Sequence, residues 1–324
     1  MRWGGAFSVV PHFYCACISE LARHVHTLAG LKENAIAMHT LDYAKHISLA
    51  RSFTMPMVAS VANDPQIPGD PSVGLSELES RVCDGLRAGE FHLVFQGAYR
   101  AADGTLARLE AQVRWAHPDY GLLLPGIFNM PLENPEVAHE MAAFVVDSVC
   151  REVRACLAAQ MPLVPIAITV PAQIALLDSF ADDLARVAAS YGVPLDLFEI
   201  EVTDSAEAAK LLTLRTLTAA LREAGVGLSL GKWGNGTSSL AMLGALDVDT
   251  ITIARELIGA VPRDRRACAV LASLMDLLHS LGMRVVVDGV DTPEQLQWVS
   301  KWPHALAQGF AFSRPQAGLG KWVG

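Results

Sequence analysis

The sequence predicts an α/β protein, a (β/α)8 barrel of the TIM type preceded by a short, mainly helical segment. Eight short β-type runs alternate with amphipathic helical patterns over about 235 residues, which is the element count of such a barrel. Two of these runs, residues 250–253 and 285–287, are almost continuously apolar, as expected of parallel strands covered on both faces. No Gly-x-Gly-x-x-Gly follows the first strand, so an open doubly wound sheet is the weaker alternative.

The region before the barrel divides into two predicted parts. Residues 1–59 form an N-terminal helical segment of unknown role, and residues 60–83 form a linker and lead-in. The stretch 60–74 consists mostly of turn formers, which is typical of a linker. Within the helical pattern at 17–52, four histidines lack an i, i+4 spacing backed by a carboxylate, so we interpret them as surface or interface residues: His24, His26, His39 and His46.

The barrel is predicted over residues 84–318, with a short C-terminal tail at 319–324. Its predicted strands are residues 92–95, 107–114, 164–170, 198–202, 227–231, 250–254, 284–288 and 306–312. Helical patterns lie between them, and in one the apolar residues repeat every four positions: Met141, Val145, Val149, Val153 and Leu157.

Composition excludes several classes of protein. Apolar residues make up 52% of the chain and mean hydropathy is +0.30, which excludes wholesale disorder. No apolar stretch reaches the ~18–20 residues of a membrane-spanning helix. A net charge of −9 disfavours a nucleic-acid-binding face but leaves room for a small anion in a locally positive pocket. Pro11 and His12 interrupt the apolar start, so no signal peptide is predicted, and the 6 cysteines are expected to be reduced thiols in a cytoplasmic protein.

In a barrel of this class, the chemistry lies at the carboxyl ends of the strands. Polar residues are predicted there on seven strands: Glu110, Arg114, Thr169, Glu201, Gly231-Lys232, Thr252, Asp288 and Gln308. Acidic residues that converge on one barrel mouth are typical of a divalent-metal site, although here a lysine lies among them.

These positions resemble the motifs of the EAL domain, the bacterial phosphodiesterase domain that linearises cyclic di-GMP, from about residue 84 to 318. The matching segments are Phe95-Gln96 (Tyr-Gln-Pro in the family), residues 109–115 (Glu-Ala-Leu-x-Arg-Trp, with Gln112 for the leucine), 201–205 (Glu-x-Thr-Glu-Ser), 234–240 (the end of Asp-Asp-Phe-Gly-x-Gly-x-Ser-Ser-Leu), 288–292 (Glu-Gly-Val-Glu-Thr) and 308–312 (Gln-Gly-Tyr-x-Phe). Six segments in the same order imply membership of the family.

The resemblance also implies which catalytic groups are missing. Metal ligands of active members correspond to Glu110 and Glu201, which are retained, and to Thr169, Gly231 and Lys232, which replace an asparagine and an aspartate pair. Thr252 replaces the lysine that assists the attacking water. The comparison therefore implies a degenerate domain with no metal, no cofactor and no hydrolysis; magnesium or manganese is expected only if it is still a phosphodiesterase.

Lys232 leaves two alternatives open. Its ammonium group can lie among Glu110, Glu201 and Asp288 as an internal cation in place of the metals, or it can extend from a loop into solvent.

Three functions follow from these residues. The first is a catalytically inactive, metal-independent cyclic di-GMP receptor that regulates a partner protein in biofilm or motility control. The second is a protein-interaction module that no longer uses the nucleotide. The third is a residual phosphodiesterase that recruits metal through new ligands among Thr169, Asp204, Asp249 and Asp288.

For the receptor, the resemblance implies these ligand-binding candidates: Gln96, Glu110, Gln112, Arg114, Pro125, Asp288 and Gln308. Arg114 suits bidentate phosphate contact, with an ion pair to Glu110 as the alternative. Gln112 either contacts the ligand or only faces the barrel mouth. A homodimer contact is expected through the loop at 233–240.

Overall fold

The structure is a computed structural model that describes residues 75–128, 134–235 and 239–322. The predicted helical segment with its four histidines and the predicted linker stretch 60–74 lie outside the described residues, and so does part of the loop at 233–240.

Strands and helices alternate along most of the described chain. The strands are β1 (Phe91–Arg100), β2 (Leu106–His117), β3 (Gly121–Leu123), β4 (Ile166–Thr169), β5 (Phe198–Thr203), β6 (Gly227–Trp233), β7 (Thr250–Ile253), β8 (Arg284–Asp288) and β9 (Leu306–Gln308). The helices are α1 (Glu77–Ala88), α2 (Pro125–Phe128), α3 (Pro135–Ala158), α4 (Ala172–Ala175), α5 (Asp178–Tyr191), α6 (Ala206–Leu211), α7 (Arg215–Glu223), α8 (Arg255–Ile258), α9 (Arg265–Ser280) and α10 (Pro293–Val299).

Eight strands close into a barrel, as predicted. The hydrogen-bonded order is β1-β9-β8-β7-β6-β5-β4-β2, and β2 pairs with β1 to complete the ring. The ninth strand, β3, extends the sheet beside the end of β2. The predicted 306–312 strand already ends at Gln308. The next residue, Gly309, packs so closely on Val290 that a Cβ would lie 2.3 Å from the Val290 carbonyl oxygen.

The first two strands depart from the expected β/α alternation. β1 runs antiparallel to both β2 and β9, whereas the other barrel pairs are parallel. A tight turn joins β1 to β2, in which the Asp103 carboxylate accepts from the N–H and hydroxyl of Thr105 at 2.9 and 2.7 Å, and Gly104 has a φ of 72°. A connection this short allows a hairpin, whereas a parallel pair needs a crossover of a dozen or more residues.

Helix α1 lies across the predicted boundary between lead-in and barrel at 83/84. Ser76 and Glu79 form a capping box at its start, and Gly89 ends it in the left-handed conformation. The carboxylate of Glu90, just beyond the helix, joins Arg81 to the indole N–H of Trp115 on β2 at 2.7 and 2.8 Å. These bonds hold α1 against the barrel.

The main core lies between the barrel wall and the surrounding helices. Four residues of the repeat predicted on α3 are buried in this core: Met141, Val145, Val149 and Val153. The fifth, Leu157, is exposed. Inside the barrel the apolar cluster is small, and it consists of Ala98, Val286 and Leu306. Three charged side chains, those of Arg108, Glu199 and Glu201, are buried in the barrel as well. In the described ranges, no helix combines the length and the apolar character needed to cross a bilayer.

Candidate functional site

Strand β2 carries a column of polar side chains along the inside of the barrel. Arg108, Glu110, Gln112 and Arg114 alternate with buried apolar residues, so they share one face of the strand. Because β2 is parallel to β4, this column rises from the buried interior at Arg108 to the mouth at Arg114. The strand therefore presents positive, negative, neutral and positive side chains in order.

At the mouth these side chains form one hydrogen-bonded network. The Gln112 amide donates to Glu110 Oε2 at 3.0 Å and to Gln96 Oε1 at 3.2 Å. Gln308 also donates to the Glu110 carboxylate. Gln112 Oε1 in turn accepts from Arg114 Nη2 at 2.7 Å. The structure thus brings together five of the residues predicted from the sequence.

Strand register explains why these residues meet. Gln96 lies opposite Glu110 in the β1–β2 pair, and Asp288 lies opposite Gln308 in the β8–β9 pair. Asp288 is therefore beside the network. Pro125 begins α2, directly after the strand that pairs with the mouth end of β2.

The structure gives Gln112 and Arg114 specific partners, while a contact of Gln112 with a ligand stays a prediction. The Gln112 side chain is part of the mouth network, which accounts for a polar residue where the family has leucine. Arg114 hydrogen-bonds Gln112 and the Val113 carbonyl, at 2.7 and 2.9 Å, rather than pairing with Glu110. These bonds use two of the five guanidinium N–H groups, so others can donate to a ligand.

Two carboxyl groups at the mouth, those of Glu110 and Asp288, have raised pKa values. Burial, together with the nearby charges of Glu201 and Asp288, raises the pKa of Glu110. Burial also raises the pKa of Asp288, although Arg255 acts in the opposite direction. Both shifts lower the cost of placing a phosphate anion at the mouth.

Below the mouth, a chain of ion pairs crosses the barrel interior. Arg108 is only 1% exposed. Its Nη2 lies 2.7 Å from Glu201 Oε2, and its Nε lies 3.0 Å from Glu199 Oε1. Glu199 also pairs with Arg284 at 3.1 Å. The two glutamates are therefore balanced by two arginines.

Glu201 has two further contacts in this position. Its Oε2 accepts from the Thr252 hydroxyl at 3.0 Å. A Cβ added at Gly231 would lie 2.5 Å from Glu201 Oε1 and 2.7 Å from its Cδ. The glutamate thus fills the space that a side chain on residue 231 would need.

The residues present do not fit a divalent metal. Glu201, one of the two retained ligand positions, is committed to Arg108 and Thr252. In the described part of the chain, no group of three or more His, Cys, Asp or Glu side chains is arranged to hold a metal ion. Asp249, considered above as a new ligand, is wrong for that role, because it lies just before β7, at the far end from the mouth, and binds Arg222 at 2.6 Å.

Lys232 is wrong as the internal cation, because its side chain is exposed. The β6–β7 register shifts between Leu230 and Trp233, and Lys232 within this irregular stretch has a φ of 57°. The buried cation is Arg108 instead, which the sequence reasoning did not single out. Its alternation with Glu110, Gln112 and Arg114 was the available signal, since it places all four side chains on the interior face.

Replacing Lys232 by glycine is expected to stabilise the protein by about 0.5–1 kcal/mol. Left-handed backbone costs a lysine about 1–2 kcal/mol, and glycine is free of this cost but loses more chain entropy on folding. Urea unfolding measures the difference. Lys210→Gly within helix α6 is the control and should lose about 1 kcal/mol. Destabilisation by Lys232→Gly would show that the lysine side chain makes contacts that matter for folding.

Gly231→Ala is expected to destabilise the protein by about 1–3 kcal/mol, because the new methyl group displaces the Glu201 carboxylate from its present position. Gly244→Ala is the matched control, since a Cβ there meets no heavy atom within 4 Å. Chemical denaturation of both variants measures the effect. Equal stability of the two variants would mean that Glu201 relaxes at no cost.

Comparison with known proteins agrees with this architecture. The sequence profile of the EAL domain matches residues 79–315. The chain belongs to the EAL domain family. The match ends close to the predicted limit of the domain and begins within α1.

Relatives of this EAL protein include named enzymes. It is 31% identical over 239 residues to the cyclic di-GMP phosphodiesterase NbdA of Pseudomonas aeruginosa. The aligned region is 74% of this chain but only 30% of NbdA. An uncharacterized protein of Mycobacterium tuberculosis is 30% identical over 234 residues, which covers 71% of this chain and 76% of the relative. The chain therefore spans less than a third of NbdA and about three quarters of the mycobacterial protein.

Solved structures share the fold of this EAL domain. The PaMucR phosphodiesterase in complex with c-di-GMP has a TM-score of 0.68 at 25% identity, covering 76% of this chain and 99% of that one. The FimX EAL domain of Pseudomonas aeruginosa, bound to c-di-GMP, has a TM-score of 0.65 at 15% identity, covering 74% and 94% of the two chains.

Proposed function

We propose that this EAL domain is a catalytically inactive, metal-independent receptor for cyclic di-GMP that regulates a partner protein in the cytoplasm. The observation that carries the proposal is the mouth network, in which Arg114 keeps free donors beside Gln96, Gln112 and Gln308. A guanidinium group among amides suits a phosphodiester and the hydrogen-bonding edge of a base.

The residues of the same site support the absence of hydrolysis. Thr169, Gly231 and Thr252 supply no carboxylate or ammonium group, and Glu201 is paired with Arg108. Hydrolysis by the two-metal route needs oxygen ligands in near-ideal geometry, which this arrangement does not offer. Two similar solved structures are named as complexes with c-di-GMP, which supports cyclic di-GMP as the ligand proposed here. NbdA is named as a cyclic di-GMP phosphodiesterase, which supports the same class of nucleotide.

Calorimetric titration with cyclic di-GMP, once in magnesium and once in EDTA, tests the proposal. We expect equal affinity in both buffers and recovery of intact nucleotide by chromatography. GTP serves as the ligand control and should give no heat. Magnesium-dependent conversion of the nucleotide would establish the residual phosphodiesterase instead.

A nucleotide-independent interaction module is the second candidate, and one surface favours it. Val270, Leu277 and Leu281 are 58%, 39% and 41% exposed, and the spacing of seven and four residues places them on one face of α9 and its end. Absence of nucleotide binding in both buffers, with partner binding lost on Val270→Ser and Leu277→Ser, would favour the module. A homodimer contact through residues 233–240 also stays a proposal. Analytical ultracentrifugation, which measures the oligomeric state, tests it.

A further inference from the structure

A buried arginine lies beside one of the retained metal-ligand positions. Arg108 contacts the carboxylates of both Glu199 and Glu201 from within the barrel. Its side chain is 2% exposed, and the two glutamates are 1% and 7% exposed. A charge buried this completely persists only when it is paired, so the three groups form one electrostatic unit.

This arginine also contacts the residue at which the family resemblance places a lysine. Thr252 on β7 occupies the lysine position, and Arg108 Nη1 donates to the Thr252 hydroxyl at 3.4 Å. The same hydroxyl donates to Glu201 at 3.0 Å. Arg108 on β2 therefore places a positive charge beside β7, where Thr252 replaces the lysine of the family.

The space around Glu201 is adapted to the same arrangement. Its carboxylate lies over the bare backbone of Gly231, where any side chain would collide with it. If Glu201 bound a metal at the mouth, it would have to leave Arg108, and the buried arginine would then have Glu199 as its one remaining ion-pair partner. The gain from one metal–carboxylate bond is opposed by this cost.

We propose that Arg108 is an internal cation that permanently replaces the divalent metal of the EAL fold. It neutralises the buried carboxylates, holds Glu201 in its present position and so prevents divalent cations from binding. Arg108 is a positioning residue in this role. The inference concerns metal binding alone and stands whether or not the nucleotide binds.

The test is Mn²⁺ binding to the full chain, measured by the electron paramagnetic resonance signal of free Mn²⁺ and by the shift in melting temperature. We expect Arg108→Ala to bind Mn²⁺ at least tenfold more tightly than the wild type and to gain melting temperature when Mn²⁺ is added. Removing the cation leaves Glu201 without an ion-pair partner near Glu110 and leaves Glu199 with Arg284 alone, and such oxygen ligands attract a divalent ion. Equal Mn²⁺ affinity of the variant and the wild type would overturn the proposal.

Two controls separate this role from a purely structural one. Arg108→Lys retains a positive charge and is expected to bind Mn²⁺ no better than the wild type. Arg284→Ala removes an arginine that contacts Glu199 but is 50% exposed, and it should also leave Mn²⁺ binding unchanged. Tight Mn²⁺ binding by either control would contradict a specific role for Arg108.

A second variant covers the case in which Arg108→Ala does not fold. Arg108→Met/Glu199→Gln keeps similar side-chain volume and leaves a single uncompensated carboxylate, that of Glu201. It is expected to bind Mn²⁺ at least tenfold more tightly than the wild type. If this variant folds and its Mn²⁺ affinity equals that of the wild type, the proposal fails.

Discussion

Arg108→Ala is expected to lose about 3–5 kcal/mol of folding free energy in metal-free buffer, the largest stability effect of any single change considered. The substitution leaves Glu199 and Glu201 without their shared cation, and both carboxylates are almost fully buried. Breaking a buried ion pair from one side costs about this much, since the remaining charge is neither hydrated nor paired. For a domain of this size the melting temperature should fall by roughly 6–20 °C.

Guanidinium chloride unfolding in EDTA measures the loss, with Arg284→Ala as the matched control. Arg284 contacts Glu199 at 3.1 Å, but half of its side chain is exposed. Water compensates the loss of an exposed pair, so the control should lose less than about 1 kcal/mol. Similar losses in the two variants would mean that burial does not decide the strength of these ion pairs.

The barrel and most of its strands were predictable from the sequence. Parallel strands buried on both faces leave near-continuous apolar runs, and residues 284–288 were predicted with the bounds that β8 has in the structure. The hairpin of β1 and β2 was not predicted, because the first strand was expected to end at residue 95, whereas β1 continues to Arg100 and leaves only a short turn before β2. Strand β9 ends at Gln308, earlier than predicted, and the close approach of Gly309 to Val290 that follows it is a contact that no local sequence pattern reports.

The mouth was more predictable than the interior. Gln96, Glu110 and Gln308 were assigned from motifs and lie in one network. Lys232 was considered as the internal cation because it replaces an aspartate of the metal-binding pair beside retained carboxylates, but its left-handed backbone lies in an irregular stretch of β6 and its side chain is exposed. Arg108 was missed, since a charged residue below the mouth is expected to be excluded from a barrel core unless its partners are known.

Arg114→Ala is expected to weaken cyclic di-GMP binding by about 10–100-fold. A charge-assisted hydrogen bond to a phosphate contributes about 1.5–3 kcal/mol, and tenfold in affinity corresponds to 1.4 kcal/mol. Burial lowers the pKa of Arg114. A guanidinium group nevertheless stays protonated in proteins, and Gln112 holds that of Arg114 at the mouth. Calorimetric titration in EDTA measures the change without interference from metal.

Two further variants identify the source of the affinity. Arg87→Ala removes an arginine of the same charge that is 68% exposed on α1, so any general electrostatic effect appears there and should be small. Arg114→Lys keeps the charge but loses the planar fork, and an intermediate affinity is expected if the contact is bidentate. If Arg114→Ala binds as tightly as Arg87→Ala, the phosphate does not lie at this mouth, and the receptor proposal loses the observation on which it rests.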